Sequence, residues 1–215
     1  MKVIKSIPIA IFNIFAFIIN LFYTYKITSS ISKMFYKKIY SNAIKKELKK
    51  IGKNFYIEGS AEIRGQKYIS IGDNFTCFGR LRLEAYDFHN GVKFNPEIVI
   101  GNNVGINFDC HIGCINKIVI GDNVLIASKV YITDHDHGKA TYENITIPPA
   151  KRILYSKGPV NIFENVWIGE NVTILSNVTI GANSIIGANS VVTKSFPKNS
   201  IILGNPAKLY KIINK

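Results

Sequence analysis

The sequence predicts an all-β solenoid, a parallel β-helix carrying a helical N-terminal arm, and three observations carry that prediction. Across residues 160–194 an aliphatic side chain recurs at every sixth position, Ile162, Ile168, Ile174, Ile180, Ile186 and Val192, and Gly169, Gly181 and Gly187 each stand one place later. A second line of small or β-branched residues, Val160, Val166, Val172, Val178, Ser184 and Ser190, stands two places before each aliphatic. An α-helix does not repeat on that period, whereas short strands with paired inward residues and tight turns do, three to a coil of roughly eighteen residues. The third observation is charge: residues 1–53 hold eleven Lys and one Glu, +10 of the formal net charge of +13, so the rest of the chain is close to neutral.

The arm comes first in the chain. Residues 7–25 form an uncharged run between Lys5 and Lys26, at the boundary between a spanning and an interfacial helix, and Asn13 and Asn20 weaken the spanning reading. Residues 27–53 set Ile31, Met34, Phe35, Ile39, Ile44 and Leu48 among lysines, the pattern of a basic amphipathic helix or helix pair drawn to anionic lipid. An arm packed on the domain base or a neighbouring subunit is the other reading. A secretory signal is disfavoured because no small-residue cleavage site follows, and three cysteines, an odd number, fit a reducing compartment. The expected location is therefore cytoplasmic, at the inner face of the cell membrane. Since the basic charge is confined to the arm, no nucleic-acid partner is expected.

The body is predicted over residues 54–195, with the sixfold register starting near Phe55 and failing twice. Residues 84–97, with Asn90-Gly91, and residues 133–159, with Gly138 and Pro148-Pro149, read as surface loops. Residues 196–215 form a tail. The register turns Cys77 and Cys110 inward as small core side chains and His111 outward, and leaves Cys114 at a turn with its role undetermined. Turns such as Gly101-Asn102-Asn103 and Gly121-Asp122-Asn123 use the residue types that accept tight backbone angles.

Five features occur in order: the Ile-Gly hexads, Ile132-Thr133-Asp134-His135-Asp136-His137-Gly138 opening the long loop, Val166-Trp167-Ile168-Gly169, Val191-Val192-Thr193-Lys194, and Gly204-Asn205-Pro206-Ala207-Lys208. Over about residues 55–211 the chain resembles the hexapeptide-repeat acyltransferases, within them the sugar and polysaccharide O-acetyltransferases. The resemblance implies a left-handed coil, a homotrimer, acetyl-CoA as acyl donor in a groove between neighbouring β-helices, and a histidine as general base toward a saccharide hydroxyl in a ternary complex. No metal is expected.

The family's catalytic histidine follows the first aliphatic of its rung by seven residues; from Val130 that count favours His137, with His135 the competitor. Asp134 and Asp136 are then candidate orienting groups beside the acceptor. Asn107 and Trp167 match acceptor-site positions, with an outward polar side chain and a wall-covering aromatic as the respective alternatives. Ala188, Thr193, Lys194, Lys208 and Lys211 match CoA contacts, the first two through backbone amides, and the tail completes that site. The arm has no counterpart in the small soluble sugar acetyltransferases, which favours a surface polysaccharide, its lipid-linked precursor or a glycolipid as acceptor. N-acetylation of an amino sugar shares every motif. A zinc-dependent hydratase like the β-helix carbonic anhydrases would need three converging ligands from His89, His111, His135 and His137, which lack a matching spacing.

Overall fold

Two inward residues per strand are enough to build the whole body. A computed structural model describes residues 3–22 and 25–214; Lys2 and, within the apolar run, Tyr23 and Thr24 lie outside the described residues. The inward pairs stack as three parallel sheets. The first face runs Lys50–Ile51, Ile69–Ile71, Glu97–Ile100, Lys117–Ile120, Val160–Ile162 and Thr179–Ile180. The second runs from Tyr56–Ile57 through Gly105–Ile106, Leu125–Ile126 and Trp167–Ile168 to Ser200–Leu203, closed by the antiparallel strand Lys208–Ile212. The third runs Ala61–Arg64, Leu81–Ala85, His111–Cys114, Tyr131–Thr133, Thr173–Ile174 and Val191–Val192. Each coil visits the three faces in turn, so residues far apart in sequence become rung neighbours, as Ile112 is of both Leu83 and Ile132. Both lines of the hexad are buried throughout residues 160–194, including Ser184 and Ser190, whereas Ala61 and Ile63 of the first third-face strand are partly buried.

The corner between first and second faces explains the Gly-Asn turns. A Cβ on Gly121 would stand 2.8 Å from the backbone nitrogen of Glu164 in the next coil, so no larger residue fits there. Asn54, Asn74, Asn103, Asn123, Asn165, Asn183 and Asn199 follow at that corner, all at positive φ. Asn tolerates that region better than most L residues because its short side chain bonds locally. Here the side chains bond to one another: each amide donates to the next carbonyl oxygen at 2.8–3.1 Å, from Asn54 to Asn199.

The N-terminal arm consists of α1 (Val3–Phe22), α2 (Tyr25–Phe35), a π-helical turn (Tyr36–Tyr40) and α3 (Ser41–Lys45). Its last residues close the solenoid. Ser41 Oγ accepts from the Ile57 amide at 3.0 Å and donates to the Ile57 carbonyl at 3.3 Å. Tyr40 Oη accepts from the Ala61 amide at 2.8 Å and donates to its carbonyl at 3.2 Å. The first ladder strand, Lys50–Ile51, precedes the start at residue 54 expected from the hexads, because its single buried-side position leaves no repeat to read.

Both register failures fall at one corner, after third-face strands. The 84–97 segment is not loop throughout. Glu84 and Ala85 end the strand Leu81–Ala85 and are buried, and Phe88–His89 pairs with Val92–Lys93 as an antiparallel hairpin turning at Asn90-Gly91. Two arginines and a histidine hydrogen bond let Glu84 stay inside: Arg82 Nη2 and His111 Nε2 reach its Oε2 at 2.9 and 2.8 Å, and Arg64 Nε lies 3.5 Å from Oε1. The second segment leaves after Tyr131–Thr133 and returns at Val160, its ends joined by paired backbone hydrogen bonds between Asp136 and Tyr155.

Candidate active site

Where the third-face strand Tyr131–Thr133 ends, Asp134 turns inward. Its carboxylate has no exposed surface and meets four donors: the Ile115 amide at 2.9 Å and His135 Nδ1 at 2.9 Å on Oδ1, the Asn116 amide at 2.8 Å and the Cys114 thiol at 3.1 Å on Oδ2. Burial alone would raise this carboxyl. The hydrogen bonds from His135, the Ile115 amide, Cys114 and the Asn116 amide outweigh it, and the group is held below the usual carboxylate range. The role left undetermined for Cys114 is thus to donate to Asp134, a contact across one coil that the sequence does not display. Its own thiol is pushed up by burial first and by Asp134 second.

With Nδ1–H committed to Asp134, His135 carries its basic lone pair on Nε2. The ring is only 10 % exposed, edge-on to Tyr86 at 6.3 Å. His111 approaches from the preceding rung: a Cβ on Gly113 would be 3.4 Å from His135 Cε1 and 3.5 Å from His111 Nε2, so both imidazoles lie over this glycine. His111 also stacks on Tyr131 at 5.0 Å. Burial lowers its pKa, the Arg82 charge adds to that, and the hydrogen bond to Glu84 only partly offsets them, which keeps it neutral. Tyr86 is pushed up to about 12 by burial and by Glu84.

His137 has a different environment. It is exposed, and its ring stands edge-to-face against His89 of the hairpin, centroids 5.9 Å apart. Asp136, between the histidines, faces outward with Lys157 at 3.8 Å. The long loop is braced by Arg152, whose Nε donates to the Ile147 carbonyl at 2.8 Å. His89, His111, Glu84 and Tyr86 are absent from the residues singled out for catalysis by motif; Glu84 and Tyr86 were hidden in an expected loop.

Other candidates lie elsewhere on the prism. Asn107 follows the second-face strand Gly105–Ile106 and donates its side-chain amide to the Ile126 carbonyl at 3.2 Å; Trp167 points out from the same face, 52 % exposed. Ala188 turns from the second face to the third, and its backbone nitrogen would lie 2.7 Å from a Cβ on Gly169. Thr193 and Lys194 follow the last third-face strand, Val191–Val192, with Lys194 Nζ 5.9 Å from the Phe196 ring centre, while Lys208 and Lys211 are exposed on the closing strand. One chain therefore divides these residues between different faces and corners. Among the described residues no three His, Cys, Asp or Glu are arranged to hold a metal ion. Cys77 and Cys110 are core residues, as the register predicts, with thiols pushed by burial to about 12 and about 11.

Residues 159–194 match the family described as bacterial transferase hexapeptide (six repeats). Over 156 residues, 71 % of this chain and 76 % of the relative, the chain is 44 % identical to the putative lipopolysaccharide biosynthesis O-acetyl transferase WbbJ of Escherichia coli. The chain belongs to the hexapeptide-repeat acyltransferases. Among solved structures of such enzymes, a maltose O-acetyltransferase from Clostridium difficile is similar at TM-score 0.55 and 28 % identity, covering 87 % of this chain and 84 % of that one. AntD, an N-acyltransferase from Bacillus cereus solved with dTDP-4-amino-4,6-dideoxyglucose and coenzyme A, shares the fold at TM-score 0.65 and 24 % identity, covering 81 % of this chain and 89 % of that one.

Proposed function

We propose that this hexapeptide-repeat acyltransferase transfers an acetyl group from acetyl-CoA to a hydroxyl of a surface saccharide, its lipid-linked precursor or a glycolipid, with His137 as general base. The observation that carries the reading is the pair of histidines on one braced loop, one fixed by a buried carboxylate and the other open to solvent. The 44 % identical relative, named as an O-acetyl transferase of lipopolysaccharide biosynthesis, supports oxygen over nitrogen as acceptor atom. His137 takes the hydroxyl proton as the oxygen attacks the thioester carbonyl. The tetrahedral oxyanion collapses to the ester, and the departing thiolate receives that proton, so no acyl-enzyme is formed. His135, covered and tied to Asp134, supports the loop. Its oriented Nδ1–H favours a second reading in which His135 Nε2 is itself the base.

Because Asn107, Trp167 and the CoA-contact candidates occupy other faces, a neighbouring copy must complete the site, which supports a homotrimer with the donor between β-helices. Arm and location are part of the same reading: residues 1–53 hold the enzyme on the anionic inner face of the cell membrane, near a lipid-linked acceptor. Transfer of labelled acetyl from acetyl-CoA to isolated polysaccharide precursor tests the reaction. His137→Ala is expected to lose roughly 10²–10⁴-fold in rate, the range for a general base, and His135→Ala less. The reverse order favours His135, and wild-type rates in both variants would sink histidine catalysis.

A further inference from the structure

We propose that the Phe88–Lys93 hairpin belongs to the catalytic apparatus, and that His89 is a positioning residue that accepts a hydrogen bond from the imidazole of His137 as it gains its proton; this rests on His137 being the base. Among the described residues, His89 Nε2 and Glu84 Oε1 are the buried side-chain polar atoms with no hydrogen-bond partner. The Glu84 oxygen has the Arg64 guanidinium 3.5 Å away. His89 Nε2 has nothing comparable, although a buried polar atom left unsatisfied is destabilising. The atom is buried, and the ring packed against His89 is that of His137, 5.9 Å away and at 79°.

The hairpin is held where this contact needs it. Asn90, at its turn, donates its side-chain amide to the carbonyls of Ala150 at 2.9 Å and Arg152 at 3.2 Å, in the returning limb of the loop that carries His137. The two insertions leave the same corner of the solenoid two coils apart, and Asn90 joins them. A neutral imidazole whose lone pair faces the acceptor hydroxyl carries its one N–H on the nitrogen turned away, and a lone pair there fixes that tautomer. When the ring takes the hydroxyl proton and becomes imidazolium, the same hydrogen bond becomes charge-assisted and strengthens. His89 Nε2 supplies that lone pair after a small rotation of His137. The interaction is strongest in the transition state and touches neither substrate, so its loss lowers kcat while leaving KM close to unchanged.

Steady-state kinetics on the full-length enzyme with acetyl-CoA and saccharide acceptor test this in four variants. His89→Ala is expected to lower kcat roughly 10- to 100-fold, a share of what a general base provides, at unchanged KM for both substrates. His89→Gln, whose amide oxygen restores an acceptor, should recover most of the loss. Asn90→Gly keeps the positive φ of the turn, 46°, but removes the clamp, and should lower kcat several-fold without unfolding the body. Wild-type kcat in both His89→Ala and Asn90→Gly, or His89→Gln as poor as His89→Ala, overturns the proposal. His137→Ala separates the two ideas: if it alone is inactive while His89→Ala is normal, the base stands and the hairpin role falls; if it is active, the assignment of the base falls and takes the hairpin role with it.

Discussion

Asp134 has four donors and no solvent, so its behaviour follows from who donates to it. Replacement by Asn puts an NH2 where one carboxylate oxygen faced a backbone amide and a thiol. Asp134→Asn is therefore expected to cost about 2–3 kcal/mol of stability through the unsatisfied donors, read as a lower denaturant midpoint. The pH dependence has a definite sign. A folded-state carboxyl held below its unfolded value, about 3.9, contributes stability that is fully present above that unfolded value and is lost as pH falls through the folded one. Wild-type melting temperature should fall in that acid window, and Asp134→Asn should lack this part of the fall. At this scale the sequence announces the residue types but not their partners. His135 and Asp134 are adjacent and can be paired on paper, whereas Cys114, Ile115 and Asn116 reach Asp134 only because the coil brings residues twenty or so positions apart onto neighbouring rungs.

Strands and turns were far more legible, because a repeat of six fixes burial without knowledge of what lies across a coil. Cys77, Cys110 and every inward residue of 160–194 are buried where the register puts them. Legibility fails where the repeat does: nothing periodic marks Glu84 as interior, since its burial depends on Arg64, Arg82 and His111 from three separate rungs. The Asn ladder is intermediate, its positive φ expected and its side-chain hydrogen bonds not. Asn123→Ala should cost about 1–2 kcal/mol for the left-handed backbone plus the ladder bonds. Asn123→Gly, free of that backbone cost, should lose the smaller share; equal losses in urea titrations would mean that the left-handed backbone carries no cost at this corner.

For the molecule as a whole, charge and apolar exposure coincide in the arm. Ile9, Phe12, Phe15 and Phe17 are all more than 60 % exposed on α1, far beyond what a water-facing helix normally shows, and ten of the thirteen formal net charges fall within residues 1–53. Among the described residues no single helix is long and apolar enough to cross a membrane, while one bent pair, Ile9–Leu21 with Tyr25–Lys45, passes that test together by length and composition. Full-length protein should float with anionic liposomes and lose that at high salt, and a chain lacking residues 1–30 should remain below; protein that stays in solution with anionic lipid ends the membrane assignment. The charge imbalance was plain in composition. The other duty of the arm was not, for nothing in Tyr40 or Ser41 says that their hydroxyls satisfy the backbone of the first coil.

That hydroxyl pair has a consequence for how long the protein is. A stack of identical coils has no inherent last member; every terminal rung offers unpaired amides and carbonyls on which another could grow. Tyr40 and Ser41 occupy the backbone groups of Ala61 and Ile57 at one end, and the reversed strand Lys208–Ile212 covers the second-face edge at the other. Capping is thus the work of two short segments that contain no hexad at all, each closing an edge on which a further coil would otherwise pair.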